Sequence, residues 1–297
     1  MGRAHHLKQT LPKNIADNPS AEGLDVEFVV LNYNSQDDLH EWMNQDPQIL
    51  KWIDQGVIRY GRTLDPGFFH MAHAKNMAHR LATGDVLCNL DADNYTGHGF
   101  ASFLKTQYSD NMNIIISPSH RVSRLYPPQE RGFGGKISIS ARNFYRLGGY
   151  DETYQGWGGE DNDFTQRAKG FGLPHFRIEG SDFVKIIPHT NEERARNMRD
   201  SHSVLQRINI LNCESPLIKA WRRVGVVFKP VQANQGTHFG MGRVKINSVE
   251  DLVFAPIQSN TMSPFNVCAR GLPELVRGRI NPRIATIDET DCLNAEP

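Results

Sequence analysis

Three short apolar runs constrain this chain most. Residues 26–31 (Val-Glu-Phe-Val-Val-Leu), 57–60 and 85–90 are rich in β-branched and large apolar residues, as strands covered on both faces are. Between them stand stretches with helical spacing. One covers 37–52, with Leu39, Trp42, Met43, Ile49 and Leu50 as its apolar positions, and Pro47 is expected to interrupt it. The other covers 71–81 and is closed by Thr83-Gly84. This alternation predicts an α/β fold, a mainly parallel sheet flanked by helices. In such sheets ligands bind beyond the carboxyl ends of the strands. Asp91-Ala92-Asp93 follows directly on the third run and so belongs at that edge.

The remaining elements follow in order. A helix over 3–11 should end near Pro12. A helix is expected over 100–109, strands over 113–117 and 134–140, and a short helix over 141–147. A strand over 183–187 would deliver Pro188-His189. The charged stretch 192–210 reads as helix, with Arg194, Arg196 and Arg199 on a mostly solvated face. Beyond about residue 214, turn residues and proline become frequent, with short strands expected at 221–228, 244–246 and 252–254. Residues 214–297 are therefore read as a small C-terminal extension without an assigned role, after a main domain over 1–213.

Composition narrows the function classes. The formal net charge is zero, so no basic footprint for nucleic acid is present. No apolar run approaches the roughly 20 residues of a membrane span. The N-terminal residues lack the apolar stretch of a secretory signal. The four cysteines, Cys88, Cys213, Cys268 and Cys292, form no CxxC pair. Reduced thiols and a cytoplasmic location are the expectation.

Chemistry gathers in two acidic motifs. In Asp91-Ala92-Asp93, residues i and i+2 of an extended chain point to one side. Two carboxylates so placed repel unless a cation lies beside them. A hard divalent ion, Mg²⁺ or Mn²⁺, meets that need and keeps positions open for phosphate oxygens. A solvated acidic loop is the plainer alternative. The second motif is Gly156-Trp157-Gly158-Gly159-Glu160-Asp161-Asn162-Asp163. The next residues read as helix up to Gly170, which puts the acids in its first turn, where the dipole favours negative charge. The glycines allow close approach of backbone to a ligand, and Trp157 offers a flat face for a sugar or for packing. Glu160 and Asp161 are candidates for acid–base work on a hydroxyl. Adjacent helical positions diverge by about 100°, so one of them would be the base. Asp163 and Arg167, four apart, read as a helix-face ion pair. His189 is one of 12 histidines and, taken alone, reads more readily as a packing or surface residue than as a ligand.

These motifs resemble glycosyltransferases of the GT-A fold. Phe133-Gly134-Gly135, Gly148-Gly149-Tyr150 and the Trp-Gly-Gly-Glu-Asp stretch are similar to the C-terminal half of the β-1,4-galactosyltransferases. Asn32-Tyr33-Asn34-Ser35, Ala74-Lys75-Asn76, Thr83-Gly84-Asp85 and Asp91-Ala92-Asp93 resemble bacterial family-2 glycosyltransferases. The resemblance implies a nucleotide-binding half over about 1–110 and an acceptor half over about 111–213. It implies Asp93 and His189 as protein ligands of Mn²⁺ (or Mg²⁺), and Asp91 on the ribose side of the nucleotide. Asn32 would border the uracil, with His73 and Lys75 near the nucleotide. Asp161 would be the catalytic base, Glu160 would hold the sugars, and Trp157 would line the donor–acceptor junction. The implied partners are a UDP-sugar donor and a carbohydrate acceptor, and the implied reaction is inverting transfer of galactose or N-acetylgalactosamine.

Two features depart from the pattern. Asn162 stands where the galactosyltransferases carry a third acid. The first strand of the fold would precede Met1-Gly2-Arg3, so either that strand is missing or the start is placed too far downstream, and a shortened chain would leave a central sheet position unfilled. Both departures suit a rival reading, a non-catalytic sugar- or nucleotide-binding protein on a decayed scaffold. A nucleotidyltransferase would want a glycine-rich basic phosphate loop near the first strand, and the sequence has none.

Overall fold

Helix α1 (Ala4–Asp17) opens the chain and continues through Pro12, where the sequence predicts its end. Proline removes one hydrogen bond of the helical ladder, and tertiary contacts override that loss. Thr10, Asn14 and Asn18 are four apart and lie on one face. Thr10 Oγ1 donates to the Ala92 carbonyl at 2.7 Å, and Asn14 Nδ2 to the Asn94 carbonyl at 3.0 Å. Asn18 Nδ2 donates to Thr96 Oγ1 at 2.7 Å. Ala4, Leu11 and Ile15 pack with Val30, Leu39, Met43, Ile49, Ile58 and Tyr60. The polar stripe thus ties α1 to the segment that follows the third apolar run.

In this computed structural model, residues 1–119, 122, 125–127, 130, 132–205, 232–248 and 250–257 are described. They fall in one compact unit, Met1–Ser259. The strand expected at 221–228 lies outside the described residues.

Strand β1 (Phe28–Tyr33) leads to α2 (Leu39–Gln45) and α3 (Pro47–Asp54). Asp46 accepts the Gln48 and Ile49 amides and caps α3, so Pro47 starts a new helix as expected. Strand β2 (Ile58–Thr63) pairs parallel with β1, from Phe28 opposite Ile58 to Tyr33 opposite Thr63. Then come α4 (Met71–Leu81), β3 (Val86–Cys88), α5 (Phe100–Asp110), β4 (Ile115–Pro118), β5 (Ser138–Ser140) and α6 (Ala141–Arg146). Helix α7 (Glu160–Gly170), β6 (His175–Ile178), α8 (Asn191–Ala195), β7 (Gly242–Ile246) and β8 (Glu250–Phe254) complete the order.

The α/β class holds, with helices flanking two four-stranded sheets, β1-β2-β7-β8 and β3-β5-β4-β6. The strand directions are mixed, not mainly parallel. Of the ladders, β1–β2 and β4–β6 are parallel, while β2–β7, β7–β8, β3–β5 and β4–β5 are antiparallel. The division falls between β1 and β3, each the end strand of its sheet. Val29, Val30 and Leu31 of β1 line the same cavity as Asn89 and Leu90 just after β3.

Two further expectations change, and one strand was not foreseen. The hairpin β7–β8 adds to the edge of β2, so the described part of 214–297 belongs to the main unit rather than to a separate extension. Val244 and Ile246 are buried there with Met77 and Leu81 of α4. Residues 183–187 form no ladder strand and make a single antiparallel bridge, Asn94 to Ile186. The ladder strand is β6, in a His-Phe-Arg-Ile stretch with too few apolar residues to signal it.

Candidate active site

The glycine-rich turn sets where α7 begins. Gly156, Gly158 and Gly159 have φ of +135°, +83° and +108°, a region that side-chain-bearing residues avoid. At Gly159, the N-cap of α7, a Cβ would stand 2.9 Å from the Tyr154 ring. The helix therefore starts at Glu160, and Glu160, Asp161 and Asp163 occupy its first turn. Asp163 turns into the core, where its Oδ2 accepts from Arg167 Nε at 2.8 Å. Arg167 also donates to the Leu147 and Gly149 carbonyls at 2.9 and 2.8 Å. This ion pair fastens the helix and takes no part in the cavity.

Glu160 and Asp161 meet Lys75 of α4. Lys75 Nζ lies 2.9 Å from Glu160 Oε1 and 2.6 Å from Asp161 Oδ1, and 5.1 Å from the centre of the Tyr150 ring. The Lys75 and Glu160 side chains are nearly enclosed, while that of Asp161 is 28% exposed. Burial acts against the Lys75 charge, but Asp161, Glu160 and Asp91 together hold its pKa well above the ordinary value. Burial pushes the Asp161 carboxyl up to about 7, against the pull of Lys75. Burial also raises Asp91, which Lys75 only partly offsets. Asp91 and Asp161 approach the same point, since a Cβ on Gly135 would lie 3.0 Å from Oδ2 of each. A side chain at 135 would fill that space.

Asp93 is placed by backbone pairing. The Ile187 amide donates to the Asp93 carbonyl at 2.8 Å, and the Tyr95 amide to the Lys185 carbonyl at 2.9 Å. The segment therefore arrives with His189 Nε2 2.8 Å from Asp93 Oδ2. Burial raises the Asp93 carboxyl, but the hydrogen bond and charge of His189 and the Asn94 side chain outweigh it and hold it below its usual value. His189 Nδ1 and Glu160 Oε2 are buried without a hydrogen-bond partner among the described residues.

Lys75, Asp91, Asp93, Trp157, Glu160, Asp161 and His189 all line one cavity of about 750 Å³. Asn32 and His73 are not among its lining residues. Asn32 is fully buried and spends its amide on Tyr60 Oη at 3.0 Å and on the Ser35 amide at 2.8 Å. His73 bonds Tyr33 Oη at 2.7 Å and the Met241 carbonyl at 2.8 Å. Both serve the fold at the end of β1. Sequence reasoning missed Arg194, which lines the cavity instead of lying on a solvated face. It also missed the Thr10–Asn14–Asn18 stripe, whose four-residue spacing was visible.

The donor set suits a divalent ion of the Mn²⁺ kind. A carboxylate oxygen and an imidazole nitrogen already touch, and the imidazole tells against Mg²⁺. Among the described residues no group of three or more His, Cys, Asp or Glu gathers as a closed metal site.

Residues 119–190 match a family profile described as the N-terminal domain of galactosyltransferase. This segment is galactosyltransferase-like. It contains Trp157, Glu160, Asp161 and His189, whereas Lys75, Asp91 and Asp93 precede it. The validoxylamine A glucosyltransferase of Streptomyces hygroscopicus subsp. jinggangensis (strain 5008) is 38% identical over 53 residues, 18% of this chain and 13% of that protein. Human beta-1,4-galactosyltransferase 5 is 35% identical over 63 residues, 21% of this chain and 16% of that protein. The matched stretch thus spans less than a fifth of either relative's length. Among solved structures, S. aureus TarS 1-349 superposes with a TM-score of 0.47 at 14% identity, over 72% of this chain and 64% of that one. GalNAc-T7 with UDP, GalNAc and Mn²⁺ superposes with a TM-score of 0.45 at 16% identity, over 64% of this chain and 44% of that one.

Proposed function

We propose that the chain is a metal-dependent inverting glycosyltransferase that moves a hexose from a UDP-sugar to a hydroxyl of a sugar acceptor. One juxtaposition carries this reading. The Asp93–His189 pair and the Lys75–Glu160–Asp161 cluster line one cavity, and Asp91 interacts electrostatically with both. The curated relatives are a glucosyltransferase and galactosyltransferases, which supports a hexose as the transferred group. Galactose or N-acetylgalactosamine is the first choice.

Asp161 Oδ1 is held by Lys75, which leaves Oδ2 facing Gly135 and the cavity. In this reading the acceptor hydroxyl gives its proton to Asp161 Oδ2 as its oxygen bonds to the anomeric carbon. The bond from that carbon to the β-phosphate oxygen breaks, and its electron pair leaves with UDP. Asp93 Oδ2 and His189 Nε2 would hold the divalent ion, whose charge stabilises the departing diphosphate. Asp91 would contact the donor. Lys75 acts on the carboxylates and not on the nucleotide, and Trp157 forms a wall for the sugars.

A panel of UDP-sugars assayed for Mn²⁺-dependent UDP release tests this directly. One donor should turn over, and Asp161→Asn should lower kcat by at least about 10²-fold, the lower end for loss of a general base, with UDP affinity kept. Unchanged turnover in Asp161→Asn removes the assigned base. Binding of UDP without turnover of any donor supports the non-catalytic alternative.

A further inference from the structure

Five carboxylates and four lysine or arginine side chains line the cavity, but they are not all paired with one another. Lys75 is occupied by Glu160 and Asp161. Arg177 is exposed on β6. Two guanidinium groups remain, Arg3 ahead of α1 and Arg194 on α8. Neither has a carboxylate within 4 Å among the described residues. Arg194 Nη1 donates to Asn191 Oδ1 at 3.2 Å, and its Cζ lies 5.7 Å from the centre of the Trp157 ring. Its Nη2 reaches the wall beside the metal pair, since a Cβ on Gly132 would stand 3.8 Å from Arg194 Nη2 and 3.9 Å from Asp93 Oδ2. Arg3 comes from the N-terminal segment, with Nη1 3.4 Å from His6 Nδ1. Burial acts against both charges; Asp93 and Glu193 support that of Arg3 against Arg194, and Asp93 and Asp91 support that of Arg194. With no carboxylate in hydrogen-bond contact among the described residues, both guanidinium groups keep donors for an anion with several oxygens.

We propose that Arg194, with Arg3, receives the diphosphate oxygens of the nucleotide donor, so that donor affinity rests on two guanidinium groups as well as on the cation held by Asp93 and His189. This rests on the donor site proposed above. Arg194 offers a planar fork suited to phosphate, and its place over the Trp157 ring links diphosphate binding to the wall of the sugar pocket.

Calorimetric titration of the full chain with uridine, UDP and inorganic pyrophosphate, with and without Mn²⁺, tests it. Arg194→Gln should weaken UDP and pyrophosphate by about tenfold or more, as expected for one charge-assisted contact, with uridine unaffected. Arg194→Lys should recover part of the loss, since it keeps the charge and loses the fork. Thermal unfolding confirms that each variant folds, and Arg194→Lys alone decides if Arg194→Gln does not. Unchanged UDP affinity in the folded variants overturns the proposal, as does an equal loss for uridine. If the wild type turns over or binds UDP and Arg194→Gln binds UDP as tightly, only this inference fails. If the wild type binds no UDP, the transferase reading fails and pyrophosphate decides. Arg194-dependent pyrophosphate binding supports the anion wall, and its absence overturns it.

Discussion

At the scale of single residues, the account turns on Lys75 between two carboxylates. Its Nζ reaches Glu160, 85 positions away in the sequence, at 2.9 Å. Asp161 has its carboxyl pushed up from 3.8 to about 7 by burial. The base form therefore grows as pH rises through about 7, and kcat should show an acid limb centred there. Stability runs the other way. The fold favours the neutral carboxyl, so this contribution is complete below the ordinary value of 3.8 and is lost as pH climbs through about 7. Lys75→Met should move the acid limb to higher pH. It should also lower unfolding free energy by about 3–5 kcal/mol, the cost of stranding one side of a buried pair. Urea unfolding and a pH–rate profile read these, and an unmoved limb would contradict the link. Whereas His189 entered only through the family resemblance, Asp93, Glu160 and Asp161 could be named from sequence because residue type and motif spacing mark them. The partner of Lys75 could not, because a lysine on a helix contacts whatever the distant chain brings to it. Arg194 was hidden for a related reason, since a charged helix looks the same whether one face is solvated or lines a cavity.

At the scale of elements, α1 is the part least visible beforehand and most consequential. Asn14 is buried, donates to the Asn94 carbonyl at 3.0 Å and accepts the Thr96 amide at 2.8 Å. It thereby fixes the residues that follow Asp93. Asn14→Ala leaves a backbone donor and an acceptor unpaired, and should cost about 1–3 kcal/mol of stability. It should also weaken Mn²⁺–UDP binding, because the Asp93 loop loses its brace. Chemical denaturation and titration of the same preparation measure both, and a destabilised variant with unchanged Mn²⁺–UDP affinity would separate the helix from the site. The helices with clear apolar spacing, α2 to α5, were legible. The end of α1 was not, because propensity at Pro12 was outweighed by side-chain bonds to residues 92–97. At 183–187 the apolar run was real, yet buried Lys136 takes the Phe183 and Tyr95 carbonyls with its Nζ, so those groups do not enter a ladder.

At the scale of the molecule, the α/β class followed from alternating patterns, while the division into two sheets depends on which strands end beside each other. The hairpin β7–β8 lies far along the chain and still completes the sheet of β1 and β2. Truncation after residue 213 should therefore expose the β2 edge and the Val244–Met77–Leu81 contact, and yield a chain without cooperative thermal unfolding. A truncated chain with the full-length transition would restore the separate-extension view. Among the described residues no helix is long and apolar enough to cross a membrane.

The most direct measurement is calorimetric titration of UDP into the wild type and into Asp93→Asn, with and without Mn²⁺. The cavity as described predicts that Mn²⁺ strengthens UDP binding to the wild type and that Asp93→Asn removes most of that gain. The same UDP affinity with and without Mn²⁺ in both proteins would contradict a metal-held diphosphate between Asp93 and Asp161.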